Sequence, residues 1–361
     1  MQSNLRILEV IAIFQKAAGT SVFCGEVSRR LNEADGVEAV IAVPDVSEPG
    51  IYDAGQNTRV MSIDEAMSGN ENWDVVHIHG VWMPVLHRVA KWAYRHNIPI
   101  IWSTHGMLRR KALRMKWWKK FLALFLYQWS DLRKASLLHV CSAIERRDVE
   151  RLHLGVPFIT VPLGVDIVSP SNVEKGEMRT ILYVGRINRG KGLMSLVNAW
   201  SIIRAEGWRV VIAGFDEEGC EAELRARVKE LGMDGDFEFP GPVYGREKER
   251  LMASAELFVL PSLSENFGSV VIEALAQQTP VIATRETPWE ELSKTGCGWW
   301  VDVGVKPLAY ALKVAIALSD QERRAMGMRG RELVEKKYTW DEVVKKMIES
   351  YEITIAIHNS K

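Results

Sequence analysis

The stretch LFVLPSLSENFGSVVIEALA, residues 257–276, decides the fold because its hydrophobic pattern changes from that of a strand to that of a helix. The apolar run from Leu257 to Leu260 ends at Pro261, which predicts a buried parallel strand. Gly268 then opens a predicted helix, whose apolar positions are Val271, Ile272, Leu275 and Ala276. The acidic loop between the two therefore lies at the carboxyl end of a strand, where open α/β sheets bind ligands.

Two glutamates in this stretch have different settings. Glu265 lies in the loop in front of the helix, where its carboxylate can bind the hydroxyls of a polyol. Glu273 lies on the helix, where its carboxylate can accept two hydroxyls of a ribose. The pair predicts a ligand that joins a nucleotide to a sugar. The alternatives are an exposed pair without function and a glycosidase pair, whose carboxylates would need to lie about 5 Å apart.

The rest of the chain alternates strand-like and helical runs, a pattern that indicates parallel sheets with helices on both faces. The predicted strands of the first half are residues 6–14, 38–43, 74–79, 99–104, 137–142 and 158–161. Those of the second half are residues 180–185, 209–214, 237–239, 257–260, 280–283 and 299–301. We therefore predict an α/β fold made of two Rossmann-like, doubly wound domains in series.

Composition agrees with two domains and narrows the function. A chain of 361 residues exceeds the size at which a single core stops growing. Its 46 basic and 46 acidic residues cancel, so no general attraction to nucleic acid is expected. The four cysteines have no C-x-x-C spacing, which argues against a disulfide framework or a structural zinc site and favours the cytoplasm. No segment approaches the roughly 20 apolar residues that span a bilayer, so any membrane association is expected to be peripheral.

A glycine-rich loop, GRINRGKG at residues 185–192, follows a predicted strand and has the spacing of a P-loop. A P-loop would continue with Ser or Thr to hold magnesium, but this chain has Gly192, which counts against an NTPase. Arg186 offers a planar fork of donors and Lys191 a point charge beside helix amides, so the loop suits a diphosphate held without metal. A glycine-rich turn with surface charges is the alternative.

The first half carries a second candidate loop at Gly19-Thr20-Ser21. This loop follows the first predicted strand, and its amides and hydroxyls can bind a phosphate or the acceptor. A helix cap explains Thr20 or Ser21 equally well.

Histidines mark two predicted strand ends. His105 precedes Gly106 and is predicted to hydrogen-bond a donor sugar, with a structural role as the alternative. His77 and His79 alternate on one strand and could share a metal. Because no third ligand is evident nearby, we favour hydrogen-bonded histidines there.

A basic amphipathic segment occupies residues 109–126. Its basic residues are Arg109, Arg110, Lys111, Arg114, Lys116, Lys119 and Lys120, and its apolar residues are Trp117, Trp118, Phe121, Leu122, Phe125 and Leu126. The apolar positions recur at helical spacing. Packing of this stripe in the core is the commoner explanation, and docking on anionic lipid or on a lipid-diphosphate acceptor is the alternative.

As a set, these motifs resemble the retaining glycosyltransferases of family four, whose E-x7-E signature matches Glu265 and Glu273. The further matching segments are STHG at 103–106, VPLGVD at 161–166, YVGR at 183–186, KG at 191–192 and YTW at 338–340. The resemblance implies a GT-B fold, in which two Rossmann-like domains face a central cleft and a C-terminal helix crosses back to the first. It implies an acceptor domain at residues 1–165, a nucleotide-sugar domain at 166–338 and the closing helix at 339–361.

The resemblance also implies roles for residues. The implied catalytic residues are His105, Arg186, Lys191 and Glu265. The implied donor-binding residues are Gly19, Thr20, Gly185, Arg186, Lys191, Val243, Glu265, Asn266, Phe267, Gly268, Ser269 and Glu273. From the basic amphipathic segment, the residues expected to contact membrane or acceptor are Arg109, Arg110, Lys116, Trp117, Trp118, Lys119 and Lys120. No metal and no cofactor is expected.

The function implied is a retaining, metal-independent transfer of a hexosyl group from a nucleotide diphosphate sugar, a UDP- or GDP-sugar, to a saccharide acceptor. The acceptor is expected to be lipid-linked, in the synthesis of a surface polysaccharide such as lipopolysaccharide or exopolysaccharide. The expected location is the cytoplasm, with peripheral association at the cytoplasmic face of the membrane, and closure of the domains about residues 166–177 would exclude water. The alternatives are a nucleotide-sugar epimerase or phosphorylase on the same fold, and a non-catalytic, membrane-associated scaffold.

Overall fold

The computed structural model describes residues 5–15, 19–114, 117–168 and 176–360. The chain divides into two compact units, unit 1 with residues 1–163 and 340–361 and unit 2 with residues 164–339. The C-terminal helix therefore belongs to the same unit as the first strand. Most of the predicted linker, residues 169–175, lies outside the described residues, so closure about it stays a prediction.

The described part of unit 1 contains a seven-stranded sheet that is parallel throughout. Its strands are β1 Leu5–Ile11, β2 Val37–Val43, β3 Arg59–Ser62, β4 Val75–His79, β5 Ile100–Ser103, β6 Leu137–Val140 and β7 Phe158–Thr160. The spatial order is β3-β2-β1-β4-β5-β6-β7. The order reverses between β1 and β4, and the crevice at such a switch point is where open α/β sheets bind ligands.

Helices cover both faces of this sheet. They are α1 Gly19–Leu31, α2 Ile63–Ala66, α3 Pro84–Arg95, α4 Arg110–Arg114, α5 Trp117–Ala123, α6 Trp129–Lys134, α7 Ala143–Glu150 and the C-terminal α15 Trp340–Asn359, with a π-helical turn at Leu124–Gln128. Neighbouring strand residues point to opposite faces. Ile7 packs in one core with Phe23 and Tyr351, while Leu8 packs in the other with Trp102.

Unit 2 repeats the architecture with a six-stranded parallel sheet in its described part. The strands are β8 Arg179–Val184, β9 Trp208–Ala213, β10 Phe237–Gly241, β11 Leu257–Leu260, β12 Val281–Thr284 and β13 Gly298–Val301, in the order β10-β9-β8-β11-β12-β13. The helices are α8 Leu193–Ile203, α9 Cys220–Glu230, α10 Gly245–Ser254, α11 Ser269–Ala276, α12 Glu291–Thr295, α13 Val305–Ala317 and α14 Asp320–Lys337, with a 3-10 turn at Arg189–Lys191. The order reverses between β8 and β11.

The prediction of two doubly wound α/β domains is confirmed, with two differences in the strands. Strand β3 was not predicted. It is an edge strand in which Met61 alone is buried, so the alternation that marks a strand is too short to detect. The first strand ends at Ile11, before the predicted Phe14. Phe14 is buried all the same, so its hydrophobicity reflects core packing beyond the strand.

Helix α14 packs closely against the backbone of Gln278 in unit 2. A Cβ on Gly327 would lie 1.9 Å from the carbonyl oxygen of Gln278. Alanine ordinarily stabilises a helix interior by roughly 1 kcal/mol relative to glycine. Here we expect Gly327→Ala to destabilise unit 2 by about 1–3 kcal/mol, because the added methyl overpacks the contact. Urea unfolding measures the difference.

The control is Gly235→Ala, because a Cβ at Gly235 would meet no atom within 4 Å. That variant should unfold at nearly the wild-type urea concentration. Equal stability of the two variants would contradict the close contact between α14 and Gln278.

Candidate functional site

The loop after β8 is held against the end of β11, at the switch point of unit 2. Tyr183 is buried in β8, and its hydroxyl donates to the carbonyl oxygen of Arg186 at 2.7 Å. Gly192 has a φ of 68°, and a Cβ there would come within 2.2 Å of the carbonyl oxygen of Pro261. Glycine at this position is therefore what lets the two loops touch.

Two hydrogen-bond donors of this loop contact the carboxylate of Glu217. Nη1 of the exposed Arg186 lies 2.8 Å from Oε1 of Glu217, and Nδ2 of Asn188 donates to Oε2 of Glu217 at 2.7 Å. The hydrogen bond from Asn188 and the charge of Arg186 lower the pKa of Glu217 below its usual range. The donors of the loop thus contact a carboxylate of the protein itself, and their binding of a diphosphate stays a prediction. Glu217 was missed because it follows β9, in a different loop of the sequence.

Lys191 and Glu265 form an ion pair although they lie 74 residues apart. Nζ of Lys191 is 2.5 Å from Oε1 of Glu265, and the hydroxyl of Ser262 donates to the same oxygen at 2.8 Å. Both charged side chains are mostly buried. The structure therefore brings together two predicted site residues that the sequence assigned to different parts of one ligand.

The acidic loop and α11 meet as the sequence predicted. Gly268 precedes α11 with a φ of 80°, a left-handed conformation that glycine adopts without strain. The indole Nε1 of Trp289 donates to the carbonyl oxygen of Phe267 at 2.6 Å, and the two rings meet edge to face with centroids 5.1 Å apart. Trp289 is fully buried, and its hydrogen bond and ring contact hold Phe267 in place. The neighbouring predicted site residues, Asn266 and Ser269, lie in this loop and at the first position of α11.

Glu273 lies in the second turn of α11 and faces α10. Its Oε2 is 2.7 Å from Nζ of Lys248, a residue that no sequence motif singled out. Both side chains remain partly exposed. Val243, the predicted site residue closest in sequence to α10, is buried between β10 and α10. The acidic positions predicted to bind sugar and ribose are thus each paired with a lysine.

In unit 1, His105 follows β5 in a strained backbone conformation. Its φ is 45°, and residues other than glycine pay on the order of 1–3 kcal/mol in such sparsely populated regions. Glu145, buried at the first turn of α7, holds the loop on both sides of His105. It accepts hydrogen bonds from the hydroxyl of Thr104 at 2.6 Å, from the amide of Cys141 at 2.8 Å and from the amide of Gly106.

Buried polar residues continue from His105 into the sheet, and we call them the histidine cluster: Glu9, His77, His79, Ser103, His105, His139 and Tyr351. Nδ1 of His79 lies 2.9 Å from Nε2 of His105, and Nε2 of His79 lies 2.5 Å from Oε2 of Glu9. The other oxygen of Glu9 accepts from the hydroxyl of Tyr351 at 2.6 Å. Glu9 was missed, although a charged residue inside a predicted buried strand was a usable signal.

The cluster also extends to the far side of His77. Nδ1 of His77 lies 2.9 Å from Oε2 of Glu9, and its Nε2 lies 2.7 Å from Oγ of Ser103. Oγ of Ser103 lies 2.5 Å from Nδ1 of His139, whose Nε2 lies 2.9 Å from the carbonyl oxygen of Val161. The favoured interpretation of His77 and His79 as hydrogen-bonded histidines agrees with these contacts.

Burial controls the protonation of the cluster. Burial and the charge of His77 lower the pKa of His79 to about 4 and that of His139 to about 3. Burial and the neighbouring histidine charges also lower the pKa of His105 well below its usual value. Burial alone would raise the pKa of Glu9, but the charge of His77 and hydrogen bonds from His77 and His79 outweigh burial and lower it. The cluster therefore holds an ionised Glu9 together with neutral His79, His105 and His139.

Among the described residues, Glu9, Cys24 and His79 bring possible metal-ligand atoms within 4.8 Å of one another. Both ring nitrogens of His79 already make hydrogen bonds, to Glu9 and to His105. Burial raises the pKa of Cys24 well above its usual value, which favours the thiol over the thiolate that binds metal. We therefore interpret this group as part of the hydrogen-bonded cluster.

The other predicted loop of unit 1 begins α1. Gly19 is the first residue of the helix and is exposed, and Thr20 is half-buried. Ser21 is buried, and its hydroxyl accepts from the amide of Gln15 and donates to the carbonyl oxygen of Ile13, both at 3.0 Å. Ser21 therefore ties the helix to the end of β1, which leaves Gly19 and Thr20 as the candidates for ligand contact. Residues 16–18 lie outside the described residues.

The structure contradicts the interpretation that the apolar stripe of the basic amphipathic segment packs in the core. All six of its apolar residues are exposed, from 53% for Leu122 to 79% for Phe125. Core packing of this stripe is therefore wrong. Arg109, by contrast, is buried and lies 3.3 Å from Asp148, so it is not the surface contact that was expected. Lys116 lies outside the described residues.

The segment is attached to the carboxyl end of β4. The hydroxyl of Tyr127 donates to the carbonyl oxygen of Trp82 at 2.6 Å, and the amide of Trp82 donates to Oε1 of the buried Gln128 at 2.8 Å. Tyr127 and Gln128 lie in the π-helical turn, a geometry frequent at functional sites. In the described part of the chain, no helix is long and apolar enough to cross a membrane.

Comparison with known proteins agrees with this division of the chain. A family model described as glycosyl transferases group 1 matches residues 166–333, and one described as glycosyltransferase family 4 matches residues 17–168. The structure of Anabaena HepE in complex with UDP superposes with a TM-score of 0.79 at 16% identity, covering 96% of this chain and 99% of that one. The fold is GT-B, like that of this neighbour.

Sequence relatives cover different shares of the chain. A D-inositol 3-phosphate glycosyltransferase of Salinispora tropica is 29% identical over 50% of this chain and 39% of its own length. A phosphatidyl-myo-inositol mannosyltransferase of Mycobacterium leprae is 27% identical over 80% of this chain and 76% of its own length. The chain thus spans well under half of the first relative and about three quarters of the second.

The histidine cluster predicts that unit 1 is sensitive to acid. An unfolded histidine has a pKa near 6.5 and takes up a proton between pH 7 and pH 5, whereas folded His79 and His139 stay neutral in this range. Because the unfolded state then binds more protons, stability falls as the pH falls, by on the order of 2 kcal/mol for each histidine at pH 5.

Unit 2 is the internal control, because all eight histidines fall within unit 1. We expect a large loss for unit 1 and a small change for unit 2. The urea dependence of methionine oxidation measures both, through buried Met61 in unit 1 and buried Met252 in unit 2. Equal shifts of the two transitions would argue against neutral histidines in the folded cluster.

Proposed function

We propose that this chain is a retaining, metal-independent glycosyltransferase that moves a hexosyl group from a nucleotide diphosphate sugar to a saccharide acceptor. The observation that carries the proposal is the ion pair between Lys191 and Glu265 at the switch point of unit 2. Arg186 lies in the same loop as Lys191, and Glu273 lies on the helix that follows Glu265. The two family models support it, as does the Anabaena neighbour, whose structure contains UDP. A UDP- or GDP-sugar is the donor that we expect.

The diphosphate is bound by Arg186 and Lys191 in this proposal. Both already contact a carboxylate, from Glu217 and from Glu265 respectively. A diphosphate offers the same type of oxygen with more charge, so it can replace these internal partners. When the glycosidic bond of the donor breaks, negative charge grows on the β-phosphate, and the preplaced cations and loop amides stabilise it. This arrangement requires no divalent ion.

The nucleoside and the sugar bind on either side of the diphosphate. Glu273 binds the ribose hydroxyls, and Glu265 binds hydroxyls of the donor sugar together with the amides of Asn266, Phe267 and Gly268. The carboxylate of Glu265 is held by Lys191 and the hydroxyl of Ser262, and in this proposal it binds the sugar and does not attack it. The acceptor oxygen therefore forms its bond to the anomeric carbon on the face that the phosphate leaves, and the phosphate takes the acceptor's proton. His105 contacts the donor sugar.

The acceptor is proposed to be a lipid-linked saccharide used in surface polysaccharide synthesis. The Mycobacterium leprae relative is named for a phosphatidyl-linked acceptor, which supports a lipid acceptor. The exposed amphipathic segment supports it independently, because its anchor on Trp82 lies at the carboxyl end of β4. An acceptor whose lipid stays in the bilayer needs an enzyme that works at the membrane surface.

The exposed segment fits an anionic bilayer surface. Its apolar residues fall in two rows at intervals of four, 117–121–125 and 118–122–126, which lie side by side on a helix. Contiguous apolar patches of this kind mark interaction sites. Exposed Arg110, Lys111 and Arg114 lie on the preceding helix α4, and basic residues contribute about 1 kcal/mol each near an anionic membrane. Aromatic rings flanked by lysine and arginine are typical of helices that lie in the bilayer interface.

Donor binding tests the nucleotide-sugar site. We expect one UDP- or GDP-sugar to raise the melting temperature in the presence of EDTA, by a free energy of about 2.7 kcal/mol at a hundredfold excess over its Kd. Arg186→Ala and Glu273→Gln should each weaken binding by about tenfold or more, because each removes a charged hydrogen bond. Thermal shift over a concentration series gives the Kd values.

Arg209→Ala is the matched control for Arg186→Ala. Arg209 is also a partly exposed arginine of unit 2, 2.8 Å from a glutamate, but it lies at the start of β9. Its Kd should equal that of the wild type. Binding that disappears with EDTA would overturn metal independence, and an inverted anomeric configuration in the product, measured by NMR, would overturn retention.

Vesicle binding tests the membrane surface. We expect sedimentation with vesicles that contain phosphatidylglycerol and not with pure phosphatidylcholine. Phe121→Ser together with Phe125→Ser should weaken binding more than tenfold, because burying one phenylalanine contributes about 1.5–3 kcal/mol. Raised salt should weaken binding as well, because the charges are exposed.

Tyr310→Ser provides the comparison, since Tyr310 is a similarly exposed aromatic on α13 of unit 2. It should bind vesicles as the wild type does. If the double variant also binds like the wild type, the amphipathic segment is not the docking surface.

A further inference from the structure

We infer that Glu9 acts through His79 to fix the tautomer of His105, so that Nδ1 of His105 is presented as a hydrogen-bond acceptor. Glu9 and His79 are then positioning residues, because neither needs to touch the substrate. The inference rests on the proposed function only for the identity of the ligand that His105 meets. The tautomer itself follows from the contacts within unit 1.

The carboxylate of Glu9 determines which nitrogen of His79 carries a proton. Glu9 is ionised, and a carboxylate can only accept hydrogen bonds. Its Oε2 lies 2.5 Å from Nε2 of His79, so that nitrogen must carry the proton. His79 is completely buried and neutral, and a neutral imidazole has one protonated nitrogen. Nδ1 of His79 is therefore an acceptor.

The protonation of His79 determines which nitrogen of His105 carries a proton. Nε2 of His105 lies 2.9 Å from Nδ1 of His79, so Nε2 of His105 must donate. The two rings are close to parallel, at 22°, and the ring of Phe23 meets that of His105 edge-on at 5.5 Å. A neutral His105 then has no proton on Nδ1.

The opposite end of the cluster explains why Glu9 stays ionised. The carbonyl oxygen of Val161 accepts from Nε2 of His139, so Nδ1 of His139 accepts from the hydroxyl of Ser103. Ser103 must then accept from Nε2 of His77. Nδ1 of His77 faces the carboxylate of Glu9 and so carries a proton too. His77 is thus an imidazolium paired with Glu9, and its charge keeps the carboxylate ionised.

Tyr351 agrees with this assignment. Its hydroxyl proton is donated to Oε1 of Glu9 at 2.6 Å, which leaves its oxygen to accept from Nδ1 of His77 at 3.0 Å. Every contact in the cluster then joins a donor to an acceptor, with the Nδ1 proton of His77 shared between Glu9 and Tyr351. A reversed tautomer of His79 would place a bare nitrogen against the carboxylate of Glu9, which is repulsive.

The tautomer restricts what His105 can bind. A lone pair on Nδ1 attracts the hydroxyl of a sugar, which can donate, and repels a phosphate oxygen, which cannot. The ligand group at His105 is therefore a hydrogen-bond donor, which for the proposed ligand is a hydroxyl of the sugar and not an oxygen of the diphosphate. A donor sugar that lacks that hydroxyl should bind and react less well.

The test is NMR of the full chain labelled with 15N-histidine and without ligand, with the His105 signals assigned by their loss in His105→Gln. We expect a proton on Nε2 and none on Nδ1 in the wild type. Glu9→Gln should give a mixture of tautomers, because an amide can accept from His79 or donate to it. A proton on Nδ1 of wild-type His105, or an unchanged tautomer in Glu9→Gln, would overturn the inference.

Ser28→Ala is the control, because it removes a buried hydroxyl of unit 1 that donates to the carbonyl oxygen of Cys24 at 2.8 Å and lies outside the histidine cluster. It should keep the wild-type tautomer of His105. If Glu9→Gln does not fold, His79→Asn replaces the imidazole by an amide, which can accept from His105 or donate to it, and should give the same mixture. The wild-type spectrum decides the direction of the hydrogen bond in either case.

Kinetics separates positioning from a purely structural role. In folded Glu9→Gln we expect kcat to fall about tenfold while Ser28→Ala retains the wild-type value, since one misplaced hydrogen bond of about 1.4 kcal/mol corresponds to tenfold in rate. Equal kcat in the two variants would count against positioning. Absence of glycosyl transfer in the wild type would contradict the proposed function but would leave the tautomer result standing.

Discussion

The parallel direction of every paired strand is the constraint on which the rest of this molecule depends. In each sheet all carboxyl ends lie at one edge, and the strand order reverses once, between β1 and β4 and between β8 and β11. Residues far apart in the chain meet at that edge without long connecting loops. Lys191 reaches Glu265 across 74 residues in this way, and Glu9 reaches His79 across 70.

The charged pairs at the two sheet edges differ in how far they are buried. In unit 2, Arg186 and Lys248 each contact a carboxylate at a partly exposed position, and such pairs exchange partners at little cost because water screens them. In unit 1, Glu9 and His77 are fully buried, so breaking their pair would leave an uncompensated charge in the core. Unit 2 is therefore suited to accept an anionic ligand, and unit 1 to hold one arrangement of protons.

Separate groups of unit 1 hold the strained backbone and the ring of His105. The left-handed backbone of His105 is held by the carboxylate of Glu145, which accepts from residues on both sides of it. The histidine ring is held by His79 and Phe23. Backbone and side chain are thus fixed by separate groups, and fixing both is what a residue needs in order to present one nitrogen in one direction.

The sequence by itself determined the class of fold, the loop after β8, the acidic loop and the start of α11. Each of these depends on local rules, namely hydrophobic period, the need for glycine at a positive φ, and the chemistry of arginine and lysine with anions. Tertiary structure alone decided that Glu9 joins the histidine cluster, that Glu217 and Lys248 pair with site residues, and that Arg109 is buried. It also decided that the amphipathic stripe is exposed, because a helical pattern gives the face of a helix but not what covers it. Such partners come from strands and loops distant in sequence, and only the packing of the sheet brings them together.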